Sequence, residues 1–294
     1  MTVRTRTRTR RRDRGVRFLV PAFVILAVTS IYPTLYSFFM SFFDWNWGQR
    51  FNFVGLQNYV DLVTGQHFRD TLWNTIVFTV SAVSVEFVLG LGLALVMTRL
   101  RFGQGLIRTL LLVPLMVSGI IVSVIWKVML DPSVGIIGYG LHLLGLPRMG
   151  FLGDPAMAMG TIVLIDTWWQ TAFVFIVLSA GVQALPIEPF EAAEVDGASS
   201  WQRFRYLTLP LLKPAILVVL MFRTVDCLKV FAIIYGTTGG GPLTTTESVQ
   251  IMAYRQAFKT LNMSASMTTM VVFAAFALLV LVLYQRLLPT EEVA

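Results

Sequence analysis

The chain has 294 residues, 56% of them hydrophobic and 13% charged, with a mean hydropathy of +0.72. A soluble domain carries about 25% charged residues, so this chain has too little polar surface to cover itself in water, and a bilayer is the solvent that suits it. Its net charge of +7 argues against nucleic acid, because Arg4, Arg6, Arg8, Arg10, Arg11, Arg12, Arg14 and Arg17 gather directly before an apolar run, as a basic anchor beside anionic lipid does.

The first apolar run, 18–43, follows this basic start in the manner of a signal peptide. Pro21, Tyr32 and Pro33 interrupt it, however, and no clear small-x-small cleavage site follows. It also exceeds the about 20 residues that a span needs, so a retained first helix is expected. Further spans are predicted over 72–98, 107–129, 158–182, 213–235 and 265–288. Segments rich in Gly, Pro, Asn and Asp separate them, such as Asp131-Pro132-Ser133 and Gly239-Gly240-Gly241-Pro242. The runs do not alternate as the roughly ten-residue strands of a membrane barrel do. The expected fold class is all-α, a polytopic membrane protein with six transmembrane helices.

An even number of spans puts both ends on one side. With the N-terminus inside, the cytoplasmic segments hold fifteen Lys/Arg and the outer ones six, which satisfies the positive-inside rule in an N-in, C-in orientation. Residues 1–17 then form a basic cytoplasmic tail, and 18–294 form one six-helix transmembrane domain. No internal repeat is evident, which weakens the case for a carrier built from paired halves. A Gly-x-x-x-x-Gly-Lys-Ser/Thr loop is also absent, so this chain does not hydrolyse ATP by that route. Cys227 is the only cysteine, which excludes an internal disulfide. His67 and His142 have no second ligand at helical spacing, and no metal site is expected.

The segment 186–214, between the fourth and fifth spans, is the most informative. Pro186 and Pro189 end the preceding span, Phe190 to Asp196 are expected to form a short helix, and Gly197 supplies a turn with positive φ. A second short helix follows through Trp201, Phe204 and Leu207 until Pro210 interrupts it. The product is a cytoplasmic helix–turn–helix with carboxylates outward and aromatics packed inward. Generic physics leaves an ordinary interfacial loop as an equal alternative.

The string Glu191-Ala192-Ala193, then Asp196-Gly197-Ala198, Phe204, Leu209-Pro210 and Pro214 resembles the EAA loop of ABC importer permeases. The resemblance extends along nearly the whole chain, to maltose-type sugar permeases of the type I importer fold. It is carried by Tyr32-Pro33, Ser41-Phe42, Gly55-Leu56-Gln57-Asn58-Tyr59, Asn74-Thr75, Pro114, Trp126, Asp131-Pro132 to Gly135, and Thr238 to Pro242 followed by Thr246-Glu247. Neither the extra N-terminal helices nor the inserted outer domain of some members is present. The resemblance implies a multi-pass permease of the bacterial plasma membrane, not an enzyme. It implies a complex in which two permease subunits, here expected to be a heterodimer, form the pore. Two ABC ATPase subunits, which hold the ATP and Mg, bind the EAA loops, and an extracytoplasmic solute-binding protein delivers sugar. Glu191, Asp196 and Gly197 would seat the coupling helix, with Glu191 meeting a basic ATPase residue. Gly239, Gly240, Gly241 and Pro242 would form an outer loop near the binding protein.

Five ionisable residues fall within spans: Glu86, Asp166, Arg223, Asp226 and Lys229. Unpaired at a helix centre, each costs about 2.5–3.5 kcal/mol on insertion scales, so they are expected to face the bundle or a watery cavity. Arg223, Asp226 and Lys229 lie three apart and are expected to pair along one face. That face is either a buried stabilising network or the wall of a sugar path, the latter completed by Trp168, Trp169 and Gln170; tryptophans also populate membrane interfaces. An intramembrane aspartyl protease using Asp166 and Asp226 is disfavoured, since two neighbouring cations favour a fully ionised Asp226. An ATP-independent carrier is a further rival. Within the importer reading, polyols stay open as substrates, and the cations Arg223 and Lys229 keep glycerol phosphate open too.

Overall fold

The computed structural model describes residues 19–47, 50–100 and 102–287; the basic tail 1–17 lies outside the described residues. The chain folds as two compact units, one holding residues up to Thr64 together with Arg255–Val272, the other holding Gly65–Tyr254 and the chain from Phe273 onward.

In the first unit the apolar run makes helix α1, Leu19–Met40, whose side chains are exposed along most of its length, with Met40 buried at its end. It passes through a π-helical stretch at Ala27–Ile31. A hairpin that the sequence reading did not anticipate follows, with β1 (Phe43–Asn46) antiparallel to β2 (Arg50–Phe53). Aromatic residues at alternate positions face one another across it: Phe43 opposes Phe53, Trp45 opposes Phe51, and the Phe43 and Phe51 rings stack 4.7 Å apart. Helix α2, Gln57–Thr64, is fastened to the hairpin's start by Asn58, whose Nδ2 donates to Ser41 O at 2.8 Å and Phe43 O at 2.9 Å.

The second unit is built on α3 (Gln66–Arg99) packed along α7 (Ala158–Gln183). Their approach is close because α3 offers no side chain at Gly90: a Cβ there would stand 2.5 Å from Val174 Cγ1. Between them in sequence come α4 (Gln104–Leu112), α5 (Gly119–Met129) and α6 (Ile136–Leu143). After α7 come α8 (Glu188–Val195), α9 (Ser200–Arg203), α10 (Leu209–Leu228), α11 (Ala232–Thr237) and α12 (Val249–Phe258). Helix α13, Met263–Leu287, starts in the first unit and finishes in the second. One core cluster, around Phe78, Val122, Ile162 and Ile233, joins α3, α5, α7 and α11. Another, around Leu91, Phe175, Leu178 and Leu212, joins α3, α7 and α10.

Among the described residues, α1, α3, α7 and α13 are long and apolar enough to cross a membrane. A fifth such span exists if α4, extended through the 3-10 turn Pro114–Met116, and α5 count together, although they meet at 96°. The predicted continuous span 107–129 is therefore broken. Pro114 lacks an N–H, and Val117 and Ser118 take extended conformations that end one helix and begin the next. The predicted fifth span, 213–235, is likewise corrected: α10 stops at Leu228, and α11 begins after Phe231. A helix end leaves carbonyls without intrahelical partners; here Ser248 Oγ donates to Val230 O at 3.0 Å, which stabilises the break.

Candidate functional site

Three of the five in-span charges converge on the guanidinium of a fourth. Arg223, on α10, is 2% exposed. Its Nε and Nη2 donate to Glu86 of α3 at 2.6 and 2.8 Å, Nη2 donates to Asp166 of α7 at 2.8 Å, and Nη1 donates to Asp226 at 2.5 Å. The fork geometry suits a bidentate carboxylate, and three acids from three helices offset the burial of one cation. Glu86, Asp166 and Cys227 also bring ligand atoms within 4.8 Å of one another, but the guanidinium already occupies the carboxylate oxygens there. The predicted Arg223–Asp226–Lys229 chain is thus corrected: Lys229 takes part in none of the ion pairs among the described residues, and Glu86, 137 positions away, takes its place. A carboxylate amid an apolar helix was the sequence signal for Glu86; its partner was not legible.

Gln170, Arg223, Asp226 and Lys229 line a cavity of about 510 Å³ together with the edge-on pair Phe173 and Phe222. A second cavity, of about 290 Å³, is lined by Trp169 and Asp166 as well as those same four polar residues. Trp168 lines neither; it lies edge-on to Trp126 at 5.5 Å. Trp169 instead braces the bend, its Nε1 donating to Val117 O at 3.0 Å and its ring lying over Gly119. Aromatic faces, an amide, a carboxylate and an ammonium around one space suit a ligand rich in hydroxyls.

The 186–214 segment forms two short helices. α8 carries Pro189 in its first turn and ends where Gly197 adopts φ +76°. Ala198 N donates to Ala193 O at 2.9 Å and Gly197 N to Glu194 O at 3.1 Å, which satisfies carbonyls at the helix end. Ser199 and Gln202 then cap α9 reciprocally. Glu194 accepts from Arg203 at 2.7 Å across the turn. Glu191, Ala192, Asp196 and Gly197 are exposed, while Ala193, Ala198, Phe204 and Leu209 are half-buried. Two expectations fail here. Trp201 is 65% exposed rather than packed inward, resting on Phe204 at 5.5 Å. Pro210 does not end the second helix either. A π-helical turn at Phe204–Thr208 shifts the hydrogen bonding so that Leu209 N reaches Phe204 O, and α10 starts with Pro210 in its first turn, where no N–H is needed.

The loop after α11 is held by buried partners. Gly239 and Gly240 take positive φ, and the Gly241–Pro242 bond is cis. Asn74 Nδ2 donates to Thr244 O at 3.0 Å, Val249 N donates to Thr75 Oγ1 at 3.0 Å, and the fully buried Glu247 lies 3.5 Å from His67. Thr246 Oγ1 donates to Gly241 O at 2.6 Å. Gly240 is buried against Ile251 and Glu247, while Gly239, Gly241 and Pro242 are half-buried; Leu243 and Thr244 are the exposed tip.

The family described as "Binding-protein-dependent transport system inner membrane component" matches residues 86–290. The trehalose/maltose transport system permease protein of Thermococcus litoralis is 38% identical over 82% of this chain and 82% of its own length. The trehalose transport system permease protein of Mycobacterium tuberculosis is 34% identical over 94% of this chain and 89% of its own. In three dimensions the chain resembles one in the crystal structure of a bacterial ABC transporter that imports the acidic polysaccharide alginate. That match has a TM-score of 0.85 at 22% identity and covers 96% and 97% of the two chains.

Proposed function

We infer substrate class and assembly from one premise: the chain belongs to the family of binding-protein-dependent transport system inner membrane components. It is a multi-pass transport permease, not an enzyme. We propose that it forms half of the pore of an ATP-driven sugar importer, paired with a similar but not identical permease. Two ATPase subunits and an extracytoplasmic solute-binding protein complete the complex.

The observation that carries the sugar assignment is the 38% identity, over 82% of each chain, to a permease named for trehalose and maltose. A cavity walled by Gln170, Asp226, Lys229, Phe173 and Phe222 supports it chemically. In this reading α10 is a further crossing, which makes six. Its Lys213, Arg223 and Asp226 give it more charge than a free-standing span tolerates, but Arg223 pairs with Glu86 and Asp166 inside the bundle. Residues 18–294 are then one transmembrane domain in an N-in, C-in orientation. The exposed Glu191, Asp196 and Gly197 seat α8 in the ATPase cleft, and the exposed tip after Gly239 to Pro242 faces the binding protein.

The test is a pull-down of tagged protein from mild detergent, followed by ATPase assays with a panel of sugars. Co-purification of an ATPase and a second permease, with sugar-dependent turnover, is the expected result. A lone protein indifferent to ATP would return the carrier reading to the front.

A further inference from the structure

Three charged side chains line the larger cavity, and they are not equally available to what enters it. Arg223 is 2% exposed and already donates four hydrogen bonds to three carboxylates. The side chain of Asp226 is 61% exposed, and it covers the one arm of Arg223, Nη1, that neither Glu86 nor Asp166 takes. Its Oδ2 holds that arm, while among the described residues no hydrogen bond reaches Oδ1. Lys229 is exposed on the same wall, three positions along the chain from Asp226.

We propose that Asp226 is the charge-selectivity residue of the pathway: it masks the guanidinium from anionic solutes and offers its free oxygen to solutes that donate hydroxyl hydrogen bonds. The substrate class is then an uncharged glycoside or polyol, and phosphorylated, sulfonated or uronic analogues are rejected. Such an anion finds no open arm on Arg223, and it reaches the ammonium of Lys229 only beside the carboxylate of Asp226. Along such a wall, the repulsion and desolvation that an anion meets outweigh the difference of a hydroxyl or two. Removing the carboxylate acts twice, deleting a negative charge and freeing a guanidinium arm. This inference rests on the pathway reading above and names the solutes that pathway takes.

The thiol-modification readout uses no sugar, so the charge filter stands or falls separately from that reading. In the assembled complex carrying Val218→Cys, whose side chain lines the same cavity while native Cys227 stays buried, modification rates are measured with a cationic and an anionic methanethiosulfonate. The cationic reagent is expected to react faster. Adding Asp226→Asn is expected to lower the cation-to-anion rate ratio by about tenfold, and Asp226→Glu to preserve it. A ratio that favours the anionic reagent in Val218→Cys alone overturns the proposal without any change at position 226. An unchanged ratio in Asp226→Asn overturns it as well. A complex with the expected ratios that turns over no sugar would instead remove the sugar reading and leave the charge filter in place.

Discussion

Glu86 and Arg223 stand 137 positions apart and meet through two hydrogen bonds, of 2.6 and 2.8 Å, with neither side chain more than 3% exposed. The pair fastens α3 to α10, and Asp166 adds α7 to the same knot. The buried-network reading of the in-span charges thus describes Arg223, Glu86 and Asp166. The guanidinium is consumed in holding three helices, while Asp226 and Lys229 are the exposed charges on the cavity wall.

If that knot holds the bundle, Arg223→Met should lower stability by about 3–5 kcal/mol, because it leaves buried carboxylates without a cation. Glu86→Leu should recover part of the loss, since an apolar pair of similar volume replaces the broken ion pair. Thermal unfolding of the detergent-purified complex measures both. A double variant no more stable than Arg223→Met would mean that Glu86 is not its principal partner.

The crossing of α3 and α7 makes a second, purely steric prediction. Gly90→Ala places a methyl 2.5 Å from Val174 Cγ1, and overpacking of this kind costs about 1–3 kcal/mol. Val174→Ala removes Cγ1 but leaves Val174 Cβ 2.8 Å and Phe175 N 3.1 Å from the new methyl, so the double variant should recover only part of the loss. Equal damage in the single and double variants would show that the helices separate by some other clash.

Composition and hydropathy made the long helices legible: the predicted span 158–182 is α7, Ala158–Gln183. The two broken spans were not, because hydropathy runs smoothly across them while the breaks depend on distant partners. The break after Leu228 leans on Ser248, and the bend at Val117 leans on Trp169. Adjacent tryptophans show the same limit. Trp168 and Trp169 point about 100° apart on a helix, and only packing decides which of them meets a cavity. Motif strings, by contrast, carried more than their own spans. Asn74-Thr75 and Thr246-Glu247 read as separate fragments in the sequence, yet the first braces the loop around the second: Asn74 donates to Thr244 O and Glu247 O, and Thr75 accepts from Val249 N.

That brace yields a third prediction. Asn74→Asp replaces an amide that donates to Thr244 O and Glu247 O with a carboxylate that repels both carbonyls. The loop 238–248 should loosen while α3 and α7 stay packed. Limited proteolysis of the detergent-purified protein should cut near the exposed Leu243 and Thr244 several-fold faster, with melting nearly unchanged. Cleavage at the parental rate would show that the positive-φ turns hold the loop without Asn74.

The fourth prediction concerns how motion crosses to the ATPase. Gly197 at φ +76° ends α8 and sets the angle at which α9 departs, and nothing stands within 4 Å of where its Cβ would be. A substitution there is therefore limited by backbone conformation and not by room. Left-handed backbone costs an L-residue about 1–2 kcal/mol, too little to unfold the permease but enough to shift the helix–turn–helix toward another turn. Gly197→Asp should consequently insert, melt like the parent and keep its cavity, yet lose sugar-dependent ATPase activity and crosslinking of α8 to the ATPase. Gly197→Asn, which tolerates positive φ and adds no charge, should retain most of both, and the β-branched Gly197→Val, which does not tolerate it, should lose both without any charge. The contrast separates a conformational role from a contact role: if Asn is as damaging as Asp, the exposed surface at Gly197 needs a bare backbone against its partner, and the turn itself is not what the glycine is there to provide.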